Sequence, residues 1–282
     1  MRLFIKFIDL LFYGNSWIAL CATAMALQTQ LLLNGKFSLA PVTLLVFFAT
    51  LFLYSIHRIV GLEKVRPFAD KGRYKVISKF KNHILFYGFI AAIGGIIFFF
   101  KTSFRIQLAL LIPALISLGY VIPFLSKKRR LRDLGYLKIF LIATVWAWVT
   151  VVLPAIELNR ALQISTILMA IERALFIFAI TLPFDIRDLK VDAHAEVKTI
   201  PAKIGISKTK LVAAISLALM LFMTFLNFQL GTYDSGTLLA LTLSMVSTCF
   251  FIHYSDKMEH DYYFTGLMDG TMLIQFGLVW FF

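Results

Sequence analysis

Apolar runs of about twenty residues recur along this chain, and a run of that length is what an α-helix needs to cross a bilayer. Nine can be laid out: 16–34, 41–61, 82–100, 104–122, 136–156, 162–184, 207–228, 235–254 and 264–282. Inside hydrocarbon the backbone must satisfy its own N–H and C=O groups, which helices do within a single segment. The chain therefore reads as an all-α polytopic membrane bundle of nine transmembrane helices. Composition agrees: 60% of the 282 residues are hydrophobic and 15% charged, against about 45–50% and about 25% in soluble domains.

A formal charge of +13 raises nucleic acid as a partner, but its distribution argues against one. Take the N-terminus as cytoplasmic and count Lys and Arg by side. All fall in or beside the inner loops except Lys36, Lys101, Arg105 and Arg160 outside and Arg173 within span six. That bias follows the positive-inside rule. The basic charge is a topology signal, with anionic-lipid contact adding about 1 kcal/mol per basic residue near the surface. It places the N-terminus in the cytoplasm and the C-terminus opposite, with a bacterial inner membrane as the expected setting. Arg2, Lys6 and Asp9 break up the N-terminal apolar run, so no cleavable signal peptide is expected. Cys21 and Cys249 lie in apolar segments as small hydrophobes. No linker interrupts residues 1–282, which read as a single domain.

The chemistry gathers where span six meets its loop, at Asp185-Ile186-Arg187-Asp188-Leu189-Lys190-Val191-Asp192. On a helix, offsets of three and seven put the three carboxylates on one face. Ionisable groups at this boundary are costly and usually functional. Three oxygen ligands suit a divalent cation that completes its shell with substrate phosphate. The plainer alternative is a solvated helix end whose acids pair with Arg187 and Lys190. Downstream, Lys198-Thr199-Ile200-Pro201 and Gly205 put the Lys198 ammonium within reach of a phosphate oxygen.

Phe184-Asp185-Ile186-Arg187-Asp188, Asp192, Lys198-Thr199-Ile200-Pro201 and Gly205 closely resemble the second aspartate motif of the UbiA superfamily of intramembrane prenyltransferases. Leu118-Gly119-Tyr120 to Pro123-Phe124, the run Lys127-Lys128-Arg129-Arg130, Asp133 and Lys138 look like that family's tyrosine–proline–basic loop. Asp269-Gly270 and Gln275 are a weaker match. The resemblance implies a nine-helix fold that transfers a prenyl group from an isoprenoid diphosphate to a lipophilic acceptor: an aromatic ring, a sugar, a porphyrin or a glycerol ether. It implies Mg²⁺, as one ion or two, held by Asp185, Asp188 and Asp192 as catalytic and metal residues. Lys198, Arg66 and Lys127 would then bind the diphosphate, with His57 and Arg58 in place of missing ligands.

The departure is at the end of span two. There the family carries a first aspartate motif, whereas this chain reads Tyr54-Ser55-Ile56-His57-Arg58-Ile59-Val60-Gly61-Leu62, followed by Arg66-Pro67-Phe68. The tripeptide is kept and the acids are gone. A positive Arg58 would also repel a nearby cation, by about 4 kcal/mol per unit charge at 4 Å and an effective dielectric near 20. Three readings stay open. Arg58 and His57 bind the diphosphate directly, since guanidinium grips phosphate in a bidentate way. Or Arg58 pairs with Asp185 or Asp188 in a catalytically dead site. Or the pair is a juxtamembrane anchor.

Two rival functions follow. One is an inactive protein of the same fold that binds or shuttles an isoprenoid lipid. The other is a small-molecule transporter using Glu172 and Arg173 of span six, against which stands the lack of paired inverted repeats. Structural pairing is the preferred reading of Glu172 and Arg173. Asp256, Glu259, His260 and Asp261 read as a solvated loop.

Overall fold

The structure, a computed structural model, describes residues 2–64, 72–121, 135–194 and 197–282, and every regular element among them is helical. α1 (Arg2–Tyr13) precedes the first span, α2 (Ser16–Asn34). α3 (Pro41–Lys64), α4 (Gly72–Lys79), α5 (Lys81–Lys101), α6 (Phe104–Ala109) and α7 (Leu111–Val121) follow. α8 (Leu137–Ala147) passes through a π-helical turn at Trp148–Val152 into α9 (Leu153–Glu157). Then come α10 (Ile164–Arg187), the short α11 (Leu189–His194) and α12 (Ile200–Ile204), α13 (Ile206–Gln229) and α14 (Ser235–Tyr254). A second π-helical turn, Tyr263–Met268, leads into α15 (Asp269–Phe281).

Among the described residues, eight segments are long and apolar enough to cross a membrane, and Phe104–Gly119 is a shorter apolar helix. This adjusts the expected fourth span: 104–122 is not one continuous helix but α6 and α7, joined through a turn at Leu110. Pro113 supplies the reason. It has no N–H to give to the carbonyl four residues back, and its ring disfavours a regular helix there. The orphaned carbonyl of Ala109 instead accepts the indole N–H of Trp148 at 3.0 Å. The inner stretches around 72–79 and 189–204, expected as loops, contain α4, α11 and α12.

α10 is packed between α8 and α13, α2 between α3 and α15, and α14 between α13 and α15. Lipid tails are as apolar as the helices, so close packing rather than hydrophobicity draws helices together. Where α5 meets α3, a Cβ at Gly94 would sit 2.6 Å from the ring of Phe48, so only glycine permits this approach.

At mid-height the core is polar. Glu172 and Arg173 are 2% and 1% exposed. The Arg173 guanidinium donates to the Met25 carbonyl at 3.0 Å and to Thr150 Oγ1 at 3.3 Å. Thr224 Oγ1 donates to Glu172 Oε2 at 2.9 Å, and Thr29 Oγ1 donates to the Thr150 carbonyl at 2.7 Å. Each charged group thus bonds to a neighbouring helix, the geometry of structural pairing, although Arg173 Nη2 is buried with no hydrogen-bond acceptor among the described residues.

Candidate functional site

The acidic motif lies where α10 ends. The helix stops at Arg187, and Asp188 leaves it at φ −91°, ψ 4°, its N–H still bonded to the Phe184 carbonyl at 3.0 Å. The chain then re-enters helix at Leu189. The offsets of three and seven are therefore not carried by one continuous helix, and the three carboxylates part company.

Asp185 and Asp192 come together around one ammonium group. Gly135, at φ +63°, turns the chain into α8, in a conformation that suits glycine. Three residues on, Lys138 Nζ stands 2.7 Å from Asp185 Oδ1 and 3.6 Å from Asp192 Oδ2. The side chains of Lys138, Asp185 and Asp192 are only 13%, 4% and 11% exposed, so water screens the pair weakly. Removing one partner of such a pair leaves an uncompensated buried charge.

Asp188 turns the other way. Arg187 Nε and Nη2 meet its two oxygens at 2.8 and 3.1 Å, while Nη1 reaches Asp261 Oδ1 at 2.7 Å. The guanidinium lies 5.0 Å from the ring centroids of both Phe184 and Phe264, a cation–π clamp. Burial, and then the nearby Asp261 carboxylate, push the pKa of the Tyr13 hydroxyl well above the usual phenol range. Arg58 stacks over the Tyr13 ring at 5.7 Å, and the Tyr262 hydroxyl donates to Asp9. Five segments thus meet at this end of the bundle: α1, α3, α8, the α10–α11 junction and the turn before α15.

The sequence-predicted residues fall as follows. Asp185 and Asp192 converge; Asp188 is held apart by Arg187. His57 and Arg58 lie in the last turns of α3, and the described ion pairs of Asp185 and Asp188 are with Lys138 and Arg187 rather than with Arg58. Lys198 is exposed and lies beside Gly135. Lys203 Nζ sits 5.1 Å over the Tyr136 ring, bringing further positive charge to the same turn. Arg66 and Lys127 lie outside the described residues. Sequence reasoning missed Lys138 and Tyr13 as site residues and took Asp261 for solvated loop. The usable signal for Lys138 was its place inside span five, where a lone cation needs a partner.

A divalent ion does not fit this arrangement. Mg²⁺ requires near-octahedral oxygens at about 2.0–2.1 Å, but an ammonium already lies between Asp185 and Asp192 and a guanidinium spans both oxygens of Asp188. Among the described residues no three His, Cys, Asp or Glu side chains group closely enough to hold a metal. The site can instead hold fixed protein charge at a membrane boundary, with carboxylates orienting the cations.

Solved structures share the architecture. A UbiA homolog from Aeropyrum pernix K1 superposes with a TM-score of 0.68 at 15% identity, covering 93% of this chain and 97% of that one. A UbiA homolog from Archaeoglobus fulgidus, bound to GPP and Mg²⁺, gives 0.66 at 13% identity, covering 96% and 99%. A structure described as digeranylgeranylglyceryl phosphate synthase gives 0.61 at 15%, covering 97% of both chains. No curated protein matches the sequence significantly. The family model for UbiA prenyltransferases, however, matches residues 63–268, the greater part of the chain and all of the acidic motif. This is a multi-pass integral membrane protein, and it belongs to the UbiA prenyltransferase family.

Proposed function

We propose that the protein transfers a prenyl group from an isoprenoid diphosphate to a lipophilic acceptor, at the end of the bundle where Asp185, Asp192 and Lys138 meet. The observation that carries this reading is the convergence there of the Lys138, Lys198 and Lys203 segments on Asp185 and Asp192. The family supports the reaction class, and the Archaeoglobus fulgidus homolog bound to GPP or to DMAPP supports an allylic diphosphate donor. The diphosphate binds at the polar mouth to Lys198, Arg58, Arg66, Lys127 and His57, since charge-assisted hydrogen bonds to phosphate are strong and directional. The prenyl tail lies among the apolar helices. Asp185 and Asp192 hold the Lys138 ammonium in place as fixed positive charge.

In the reaction the allylic C–O bond breaks and its electron pair leaves with the diphosphate. Protein cations stabilise the charge that develops there. The acceptor's nucleophilic carbon or oxygen then bonds to the allylic carbon and loses a proton to water. The bias of basic residues puts this end in the cytoplasm. The test is release of diphosphate from radiolabelled geranyl diphosphate by the purified full-length protein. Release is expected, with at least a tenfold loss in Lys198→Ala. Undiminished release in that variant removes Lys198 from the site.

A second reading has its own support. The window 54–62 contains no acid, and the acids of the second motif are matched internally. Both features suit an inactive protein that binds an isoprenoid lipid. Binding of geranyl diphosphate without release of diphosphate selects that reading.

A further inference from the structure

We propose that Lys138 and Arg187 are the permanent cations of the acidic motif, and that the protein holds no divalent ion there. The inference stands on position. The Lys138 ammonium approaches Asp185 Oδ1 at 2.7 Å and Asp192 Oδ2 at 3.6 Å, on side chains almost closed to water. An ion bound by these two carboxylates would have to take the ammonium's own place. Among the described residues Asp192 Oδ2 accepts no hydrogen bond and is met by the ammonium through charge alone, whereas Arg187 engages both oxygens of Asp188 and ties them to Asp261. Arg187 is itself fixed between the rings of Phe184 and Phe264, so it cannot swing away without losing two aromatic faces.

The charges agree. Asp185, Asp188, Asp192 and Asp261 contribute four negative charges within the cluster. Lys138 and Arg187 lie inside it, Arg58 stacks on its Tyr13 edge, and the Lys203 ammonium covers the adjoining Tyr136. An incoming divalent cation would therefore meet fixed cations as well as carboxylates. The window at the end of α3 that could have supplied further acids carries His57 and Arg58. With no acid in that window and an ammonium between the acids of α10 and α11, the positive charge at this mouth is built into the chain. An anionic headgroup arriving at this mouth therefore meets ammonium and guanidinium groups directly.

Mn²⁺ binding tests this on the full-length protein in detergent, with electron paramagnetic resonance reporting bound against free ion and Mg²⁺ as competitor. No isoprenoid is present, so the result is independent of whether the protein transfers prenyl groups. Wild type is expected to leave the free-ion signal unchanged at 100 μM Mn²⁺. Lys138→Gln removes the charge and keeps a polar side chain. It is expected to gain a Mg²⁺-competable site at least tenfold tighter than any wild-type binding, lost again in Lys138→Gln with Asp192→Asn. A wild-type Mn²⁺ site that Asp192→Asn abolishes overturns the proposal, and so does a folded Lys138→Gln variant that gains nothing. Should Lys138→Gln not fold, the wild-type titration decides alone, together with thermal unfolding. The melting temperature is expected to be the same in EDTA and in excess Mg²⁺, and a rise with Mg²⁺ that Asp192→Asn removes overturns the proposal.

Discussion

The indole N–H of Trp148 donates to the carbonyl of Ala109, the acceptor that Pro113 strips of its helical partner. A π-helical turn is thereby joined to a broken helix, whose orphaned carbonyl it satisfies. Trp148→Phe keeps the ring and deletes the donor. Leaving a carbonyl unsatisfied costs about 1–3 kcal/mol, and the loss is read as a lower melting temperature in detergent. A variant as stable as wild type means that the carbonyl has another partner.

The Lys138–Asp185 pair links α8 to α10. Lys138→Met or Asp185→Leu alone is expected to destabilise by about 3–5 kcal/mol, because the remaining charge stays buried and unmatched. The double variant should cost much less than the sum of the singles. Additive effects in that cycle would show that the two groups do not sense each other.

Arg187 serves two acids through a planar fork that lysine cannot reproduce. Arg187→Lys is expected to keep contact with one of Asp188 and Asp261 and to release the other. The turn between α14 and α15 then loosens, and trypsin should cut after Lys257 faster than in wild type. Equal cleavage rates would dissociate Arg187 from that turn.

Arg173→Met leaves the Glu172 carboxyl in the middle of the membrane without its adjacent cation, with Thr224 as a hydrogen-bond donor. The expected loss is about 3–5 kcal/mol. Adding Glu172→Leu should recover part of it, measured by thermal unfolding in the same detergent.

Asp234 caps α14 by accepting from the Thr237 N–H at 2.8 Å, and this bond holds its carboxyl pKa below the ordinary 3.8. A lowered native pKa means that the contribution is complete above the unfolded value and is lost as pH falls through the native one. Asp234→Ala should cost about 1 kcal/mol at neutral pH. The gap between variant and wild type should close progressively below pH 3.8. A gap that persists at pH 2 would assign the effect to something other than the cap.

Span positions were legible because run length is set by bilayer thickness, a constraint that acts on each segment separately. The break at Pro113 was not read from the sequence, where run length alone laid out 104–122 as one span, and only the structure shows Trp148 answering it. The acids at 185, 188 and 192 stood out by spacing and by boundary position, and they identified the family. Their partners did not stand out. Lys138 is 47 residues from Asp185 and Asp261 is 74 from Arg187. Such contacts depend on which helices pack together and where α10 ends, and no local periodicity encodes either. The helix face expected to carry all three acids dissolved for the same reason: one residue leaving the helix at Asp188 sent its carboxylate to a different cation.

Arg173 ties α10 to α2 through the carbonyl of Met25, near the midpoint of both helices. A clamp at that height acts as a pivot. The two helices can splay at either end, but they cannot slide past each other by a turn without exposing a guanidinium to hydrocarbon. A hydrogen bond at that height thus fixes the register of α10 against α2 along their axes.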